Sequence, residues 1–198
     1  LPDGLVVVWR RGQLPSRIAV RRIGLDGAPR GEEQVIDRDA ADVRVTADAS
    51  GRFLVVWHEG DARVTEGEYF EAQRFAADGS LVGAPLELVS YTPPNHEIGF
   101  HHFIHGDVAA RPDGTFLLTW TRWTQRPTCE GFGCTEVVDY DAFARAFQPD
   151  GTLLGEAALD TEWTRDIAGG LAAGPDGWVG GVEAPGVGAW RLQPGPPC

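Results

Sequence analysis

Four of the five histidines in this 198-residue chain, His96, His101, His102 and His105, fall within ten residues. Neutral imidazole is a ligand for zinc and copper, so rings gathered from segment 95–105 would make a transition-metal site, with metalloenzyme chemistry as its extension. In extended chain His101 and His105 point one way and His102 the other, so a single strand does not bring them together. The spacing also departs from the zincin helix signature, because His96-Glu97 is followed by Gly99 and then by His101. The competing account is a connecting segment whose imidazoles bond backbone carbonyls or cover one end of the fold.

A second constellation is Cys129-Glu130-Gly131-Phe132-Gly133-Cys134. Two cysteines around a glycine-rich tip can close a small hairpin with a disulfide, which implies an oxidising, extracytoplasmic compartment. Three cysteines are too few for a Cys₄ zinc site, and Cys198 is left to stay free or to pair with another subunit. Carboxylates crowd nearby: Glu59, Asp61, Glu66 and Glu68 in one stretch, Glu130, Glu136, Asp139 and Asp141 in another. Calcium takes such oxygens, but no EF-hand loop or Gly/Asp nonapeptide array is present, and solvated acidic loops are the simpler account. No serine sits in a nucleophile elbow and no glycine-rich phosphate loop opens a helix. Trp123, Phe132 and Trp163 are the candidate surface for stacking a sugar or docking a protein, and Trp178 shares their break in register with the other tryptophans.

Composition narrows the classes further. A formal net charge of −12, with arginine as the sole basic residue besides histidine, argues against nucleic acid or an anionic membrane as partner. No apolar run approaches the roughly 20 residues that span a bilayer. A chain of this length buries roughly 70% of its unfolded surface, enough for one domain over 1–198. The preference for Arg over Lys, with abundant Ala, Gly and Pro, reads as a GC-rich bacterial genome.

What positions these residues is a repeat. Pro2-Asp3-Gly4-Leu5-Val6-Val7-Val8-Trp9, Ser50-Gly51-Arg52-Phe53-Leu54-Val55-Val56-Trp57 and Pro112-Asp113-Gly114-Thr115-Phe116-Leu117-Leu118-Thr119-Trp120 align, with a weaker copy from Pro175 to Val182. Each is followed by a second strand signal: Ile18–Ile23, Phe70–Phe75, Ala142–Phe147 and Gly188–Leu192. After three of these come Asp26-Gly27, Asp78-Gly79 and Asp150-Gly151. Asp-Gly supplies the positive φ of a two-residue hairpin turn, and runs apolar at both parities are strands buried on both faces. Each unit therefore reads as four antiparallel strands, A to D.

Four-stranded units buried on both faces need stacked neighbours, which predicts an all-β, β-propeller-like array of about four units: about 1–40, 41–106, 107–165 and 166–198. A β-sandwich is the alternative. The order DG-x-[FL]-[LV]-V-W, A-Q-R-F, D-G-x-x-x-G resembles tandem propeller-type repeats of secreted bacterial proteins, often beside adhesin modules. The resemblance spans nearly the whole chain and implies a scaffold more than an activity. The first unit has no strand A and the last no strand D, and the chain opens on Leu1, so the expectation is either a piece of a larger ring or four units that close by merging their terminal strands.

The units differ in their connections. The B–C interval grows from Trp9–Val20 through Trp57–Ala72 to Trp120–Ala144, and a second insertion separates Val89 from Asp107. The expected function is non-enzymatic binding of a protein or glycan by loops 58–69, 91–106 and 121–139, at the cell surface, in the periplasm or in the medium. The alternatives are the metal site and a structural role, with the incomplete terminal units or Cys198 joining other subunits.

Overall fold

Five of the turns that divide the repeat share one geometry, set by where glycine is needed. In the computed structural model, Gly27, Gly51, Gly79, Gly114 and Gly151 have φ between 76° and 94°, a left-handed conformation that side chains resist. Around Gly79 the amide of Ala76 donates to Ser80 O and the amide of Gly79 donates to Ala76 O. This is a three-residue loop, a type I turn followed by a left-handed glycine, and the same pair of bonds recurs at the other four. The expectation of two-residue turns is thereby corrected. Aspartate does not take the positive φ; its carboxylate receives the amide two residues on, as in Asp78 to Ser80 (2.9 Å) and Asp113 to Thr115 (2.9 Å).

The structure describes residues 1, 3–12, 16–40, 42–59, 68–91, 100–130, 133–160, 167–174, 176–183 and 188–192. They form strands in four antiparallel sheets. Sheet 1 is β1 (Gly4–Arg11), β2 (Arg17–Gly24) and β3 (Pro29–Ile36). Sheet 2 is β4 (Asp42–Ala47), β5 (Phe53–Glu59), β6 (Glu68–Phe75) and β7 (Leu81–Tyr91). Sheet 3 is β8 (Phe100–Ala110), β9 (Phe116–Glu130), β10 (Gly133–Phe147) and β11 (Leu153–Asp160). Sheet 4 is β12 (Ile167–Gly174), β13 (Gly177–Glu183) and β14 (Gly188–Leu192). Strands neighbour one another in chain order within every sheet. Sheets 2 and 3 are the expected four-stranded meanders. Among the described residues sheets 1 and 4 have three strands each.

The sheets stack in chain order, and the two parities of the B strands β5 and β9 face different neighbours. Phe53, Val55 and Trp57 pack with Ile18 and Val20 of sheet 1, while Leu54 and Val56 pack with Phe116, Leu118 and Trp120 of sheet 3. On β9 the alternate residue Leu117 faces sheet 4 with Ala109 and Trp178. Burying each such side chain contributes about 1.5–3 kcal/mol, and this explains why the repeat is apolar at consecutive positions. Sheet 1 departs from the expectation: its inward residues Val6 and Val8 join the core, but Leu5 and Val7 on the other face are 51% and 41% exposed.

Hydrogen bonds tie neighbouring sheets through β4, β8, β12 and β13. Ala110 N donates to Thr46 Oγ1 (2.8 Å), Leu171 N to Asp107 Oδ2 (2.8 Å), and Trp178 Nε1 to Ala109 O (3.1 Å). Trp178, 3% exposed, is therefore a core residue and not the surface aromatic that its register suggested. Among the described residues no helix is long and apolar enough to cross a membrane.

Candidate binding surface at the connection end

In an up-and-down meander the A–B and C–D turns share one end, and the B–C and D–A connections share the other. All five three-residue turns therefore lie at one end, here the turn end. The turns of sheets 2 and 3 also meet there: a Cβ on Gly114 would come within 3.1 Å of Asp48 Oδ2 and 3.2 Å of Pro149. A cavity of about 280 Å³ opens beside them, lined by Arg52, Arg74, Phe53 and Asp150 among others. Asp48 there accepts bonds from Ser50 N (2.9 Å), Ser50 Oγ (2.7 Å) and Arg52 Nε (2.7 Å). The five turns share one geometry and are braced by their own side chains.

The opposite, connection end carries the variation. Residues 121–139 were expected as a long loop. Instead β9 and β10 run in unbroken register from Phe116↔Phe147 to Glu130↔Gly133. β8 begins at Phe100, inside the expected 91–106 loop, and pairs with β9 through Phe100↔Gln125 and His102↔Trp123. The two insertions thus build a three-stranded extension of sheet 3. Its sequence signal was the β-branched run Thr119, Thr121, Thr124, Thr128, which contains no turn residue before Pro127. Pro127 itself lies beyond the last β8–β9 pair, where β9 has β10 as its remaining described neighbour, the edge position that tolerates a missing N–H.

The extension is rooted in an aromatic cluster between sheets 2 and 3. Trp120 stacks on Phe143 (centroids 5.4 Å, 19°), and Phe103 lies 5.6 Å from Phe70 and 6.1 Å from Tyr91. His58, 8% exposed, stands 5.2 Å from the Phe70 ring. β8 bulges between Ile104 and Asp107, and a Cβ on Gly106 would meet Phe70 Cε1 at 2.6 Å, so glycine is required for the strand to approach that ring. Above the cluster the Arg122 guanidinium bonds Asp141 (2.7 Å) and sits 4.8 Å from the Phe143 ring centre. Thr121 and Thr124 are buried at 0% and 6%. Sequence reasoning missed Arg122, Phe103 and His58, since their partners are a strand away.

Trp123 is half-buried on β9, between His102 of β8 and Tyr140 of β10 in register. Phe132 and Trp163, the other two surface aromatics, lie outside the described residues, as does His96. His101 and His102 occupy consecutive positions of β8 and His105 falls in its bulge; their side chains are outside the described set. Among the described residues no group of three or more His, Cys, Asp and Glu could hold a metal ion. Of the carboxylates considered for calcium, Asp141 is paired with Arg122, Asp139 Oδ1 accepts the Tyr140 amide (3.0 Å), and Asp61 and Glu66 lie outside the described residues. Cys129 and Cys134 are direct register partners one pair below the tip.

Comparison with protein-family models finds no match, and no curated protein matches the sequence, so the family resemblance rests on the repeat motifs alone.

Proposed function

We propose that the chain is a β-propeller-like array whose connection end binds a protein or glycan partner without chemistry of its own. The observation that carries this reading is the asymmetry between the two ends. Five three-residue turns of one geometry lie at one end, while the insertions collect at the other as a three-stranded extension carrying Trp123 and Tyr140. Stacking of the sheets in chain order, each through the same pair of faces, supports radial over sandwich packing. Half-buried aromatics on a rigid strand offer contact area at low entropic cost.

The test is to shorten the extension, joining Thr121 to Ala142 through an Asn-Gly turn. Wild-type and shortened proteins are then compared on arrays of oligosaccharides and purified matrix proteins. Signals present for the wild type and absent for the shortened, still cooperatively folding protein are expected. Equal binding by both would place the site elsewhere.

The same reading assigns a disulfide to Cys129 and Cys134, and an extracytoplasmic location with it. Two residues lie between the last register partners, Glu130 and Gly133, and a two-residue hairpin closes on a hydrogen-bonded pair. The next pair outward is then non-hydrogen-bonded, with Cα atoms about 4.5 Å apart, inside the disulfide range. Air-oxidised protein denatured without reductant should show one reactive thiol per chain, from Cys198, and three after reduction. Three thiols before reduction would remove both the bridge and its implication for compartment.

A further inference from the structure

One position of the repeat is filled differently in each of the first three sheets. Arg22 on β2 pairs in register with Val6, Arg74 on β6 with Leu54, and Ala146 on β10 with Leu117. The Arg22 guanidinium is bonded to Asp3 (3.0 Å), and Ala146 carries no charge. At Arg74 the charge is left uncompensated. Its Nε is buried without a hydrogen-bond partner, and among the described residues its guanidinium makes neither a hydrogen bond nor an ion pair.

Arg74 follows Phe70 and Ala72 at alternate positions of β6, the face packed on sheet 3, and it lines the cavity of about 280 Å³ between the turns of sheets 2 and 3. Leu54, Val82, Ala110 and Phe116 give that cavity apolar walls. The guanidinium lies against Gly83, where a Cβ would stand 2.8 Å from Arg74 Nη2 and φ is 68°, so glycine at this bulge makes room for it. The carboxylates of the cavity already have donors. Asp48 accepts from Ser50 Oγ (2.7 Å) and Arg52 Nε (2.7 Å). Asp150 Oδ1 accepts the Thr152 amide (2.9 Å), and its carboxyl is held low by that amide first and by the Arg74 charge last. A half-buried guanidinium without a partner is costly, and an incoming carboxylate, which matches its fork with two parallel bonds, removes that cost.

We propose that this cavity binds a small organic monocarboxylate with an apolar body, the carboxylate on Arg74 and the body against Leu54, Val82 and Phe116. An apolar cavity of about 150 Å³ holds a benzene ring. The volume beside Arg74, about 280 Å³, therefore has room for a ring and a short acid chain. Asp150 lines the same cavity and restricts the ligand to one negative charge, since a second would face its carboxylate. The site lies at the turn end and is independent of partner binding at the connection end.

NMR titration of the intact chain with 3-phenylpropionate should show saturable shifts at the Gly83 and Gly114 amides, with a Kd of about 0.1–1 mM, ordinary for a ligand of about eleven non-hydrogen atoms. The uncharged 3-phenylpropanamide should bind at least about tenfold more weakly, the usual worth of a hydrogen bond to a charged group. Arg74→Gln should weaken the acid by a similar factor and leave the amide unchanged. Arg22→Gln, in the cleft between sheets 1 and 2, should change neither. Asp150→Asn removes the repelling charge and should tighten the acid about two- to threefold. A urea midpoint of Arg74→Gln near or above that of wild type verifies folding, and the comparison of acid with amide on wild type needs no variant. Absence of saturable binding of the acid up to about 10 mM would overturn the proposal. So would equal affinities for acid and amide, or an Arg74→Gln protein that binds the acid as wild type does.

Discussion

Trp120→Ala is expected to lower the stability of the folded chain by about 3–5 kcal/mol, the usual range for emptying a large aromatic site in a core. Trp120 is 3% exposed and stacks on Phe143 at 5.4 Å. It lies 6.2 Å from both Phe70 and Phe103, with the Arg145 guanidinium 5.6 Å from its ring centre. Those neighbours come from β6, β8 and β10, so the cavity would loosen sheet 2 from sheet 3 and weaken the root of the extension together. Against a total stability of about 5–15 kcal/mol the loss is large. Trp120→Phe, which keeps a ring against Phe143, should recover most of it.

The informative comparison is Trp9→Ala. Trp9 occupies the same repeat position, but it lies on the outer face of sheet 1 and is only half-buried. Its replacement should cost less in urea unfolding, because part of its side chain stays in water in the folded chain, whereas Trp120 is covered on both sides. Equal losses at the two positions would mean that the outer face of sheet 1 is covered in solution, and the concentration dependence of the Trp9→Ala effect would then report on association.

Acidification is expected to remove stability in a narrow window below about pH 4. Four turn aspartates have carboxyl groups held below their ordinary range. For Asp48 burial pushes upward, and this is outweighed by bonds from the Ser50 hydroxyl and the Arg52 guanidinium, the charge of Arg52 and the Ser50 amide. Asp78 is lowered chiefly by the Ser80 hydroxyl, Asp113 by the Thr115 hydroxyl and Asp150 by the Thr152 amide. A carboxylate with a lower pKa in the folded state is protonated first in the unfolded chain. Its stabilisation is fully present above the unfolded value and disappears as pH falls through the folded one.

Urea midpoints should therefore be flat from about pH 7 to 5 and fall as the pH drops below about 4. Asp48→Asn keeps an acceptor for Ser50 but cannot titrate, so it should flatten part of that fall while lowering the plateau. A midpoint indifferent to pH across the acid range would show that these turns are not formed as described.

The turns and the strands were legible because their determinants are local. Asp78-Gly79-Ser80 carries its own instructions: glycine admits the left-handed φ, and the aspartate and serine satisfy each other within three residues. Consecutive apolar residues in β5 and β9 likewise announced strands covered on both sides. The extension was legible in principle. The β-formers from Thr119 to Thr128 mark it, but an interval counted between repeat landmarks hides the difference between a loop and a longer hairpin, since both insert the same number of residues.

By itself the amino-acid sequence determined the all-β class, the strand order within each unit and the places where connections lengthen. Only the tertiary structure decided which faces are covered. Leu5 and Phe53 look alike in the repeat, yet one is 51% exposed and the other 4%, because burial depends on whether a neighbouring sheet is present. Trp178 was moved from surface to core by a bond to Ala109, 69 positions away in the chain. Period and turn chemistry act over a few residues and are written in order along the chain, whereas a packed face is made by residues from separate strands, and its partners exist only once the sheets have stacked.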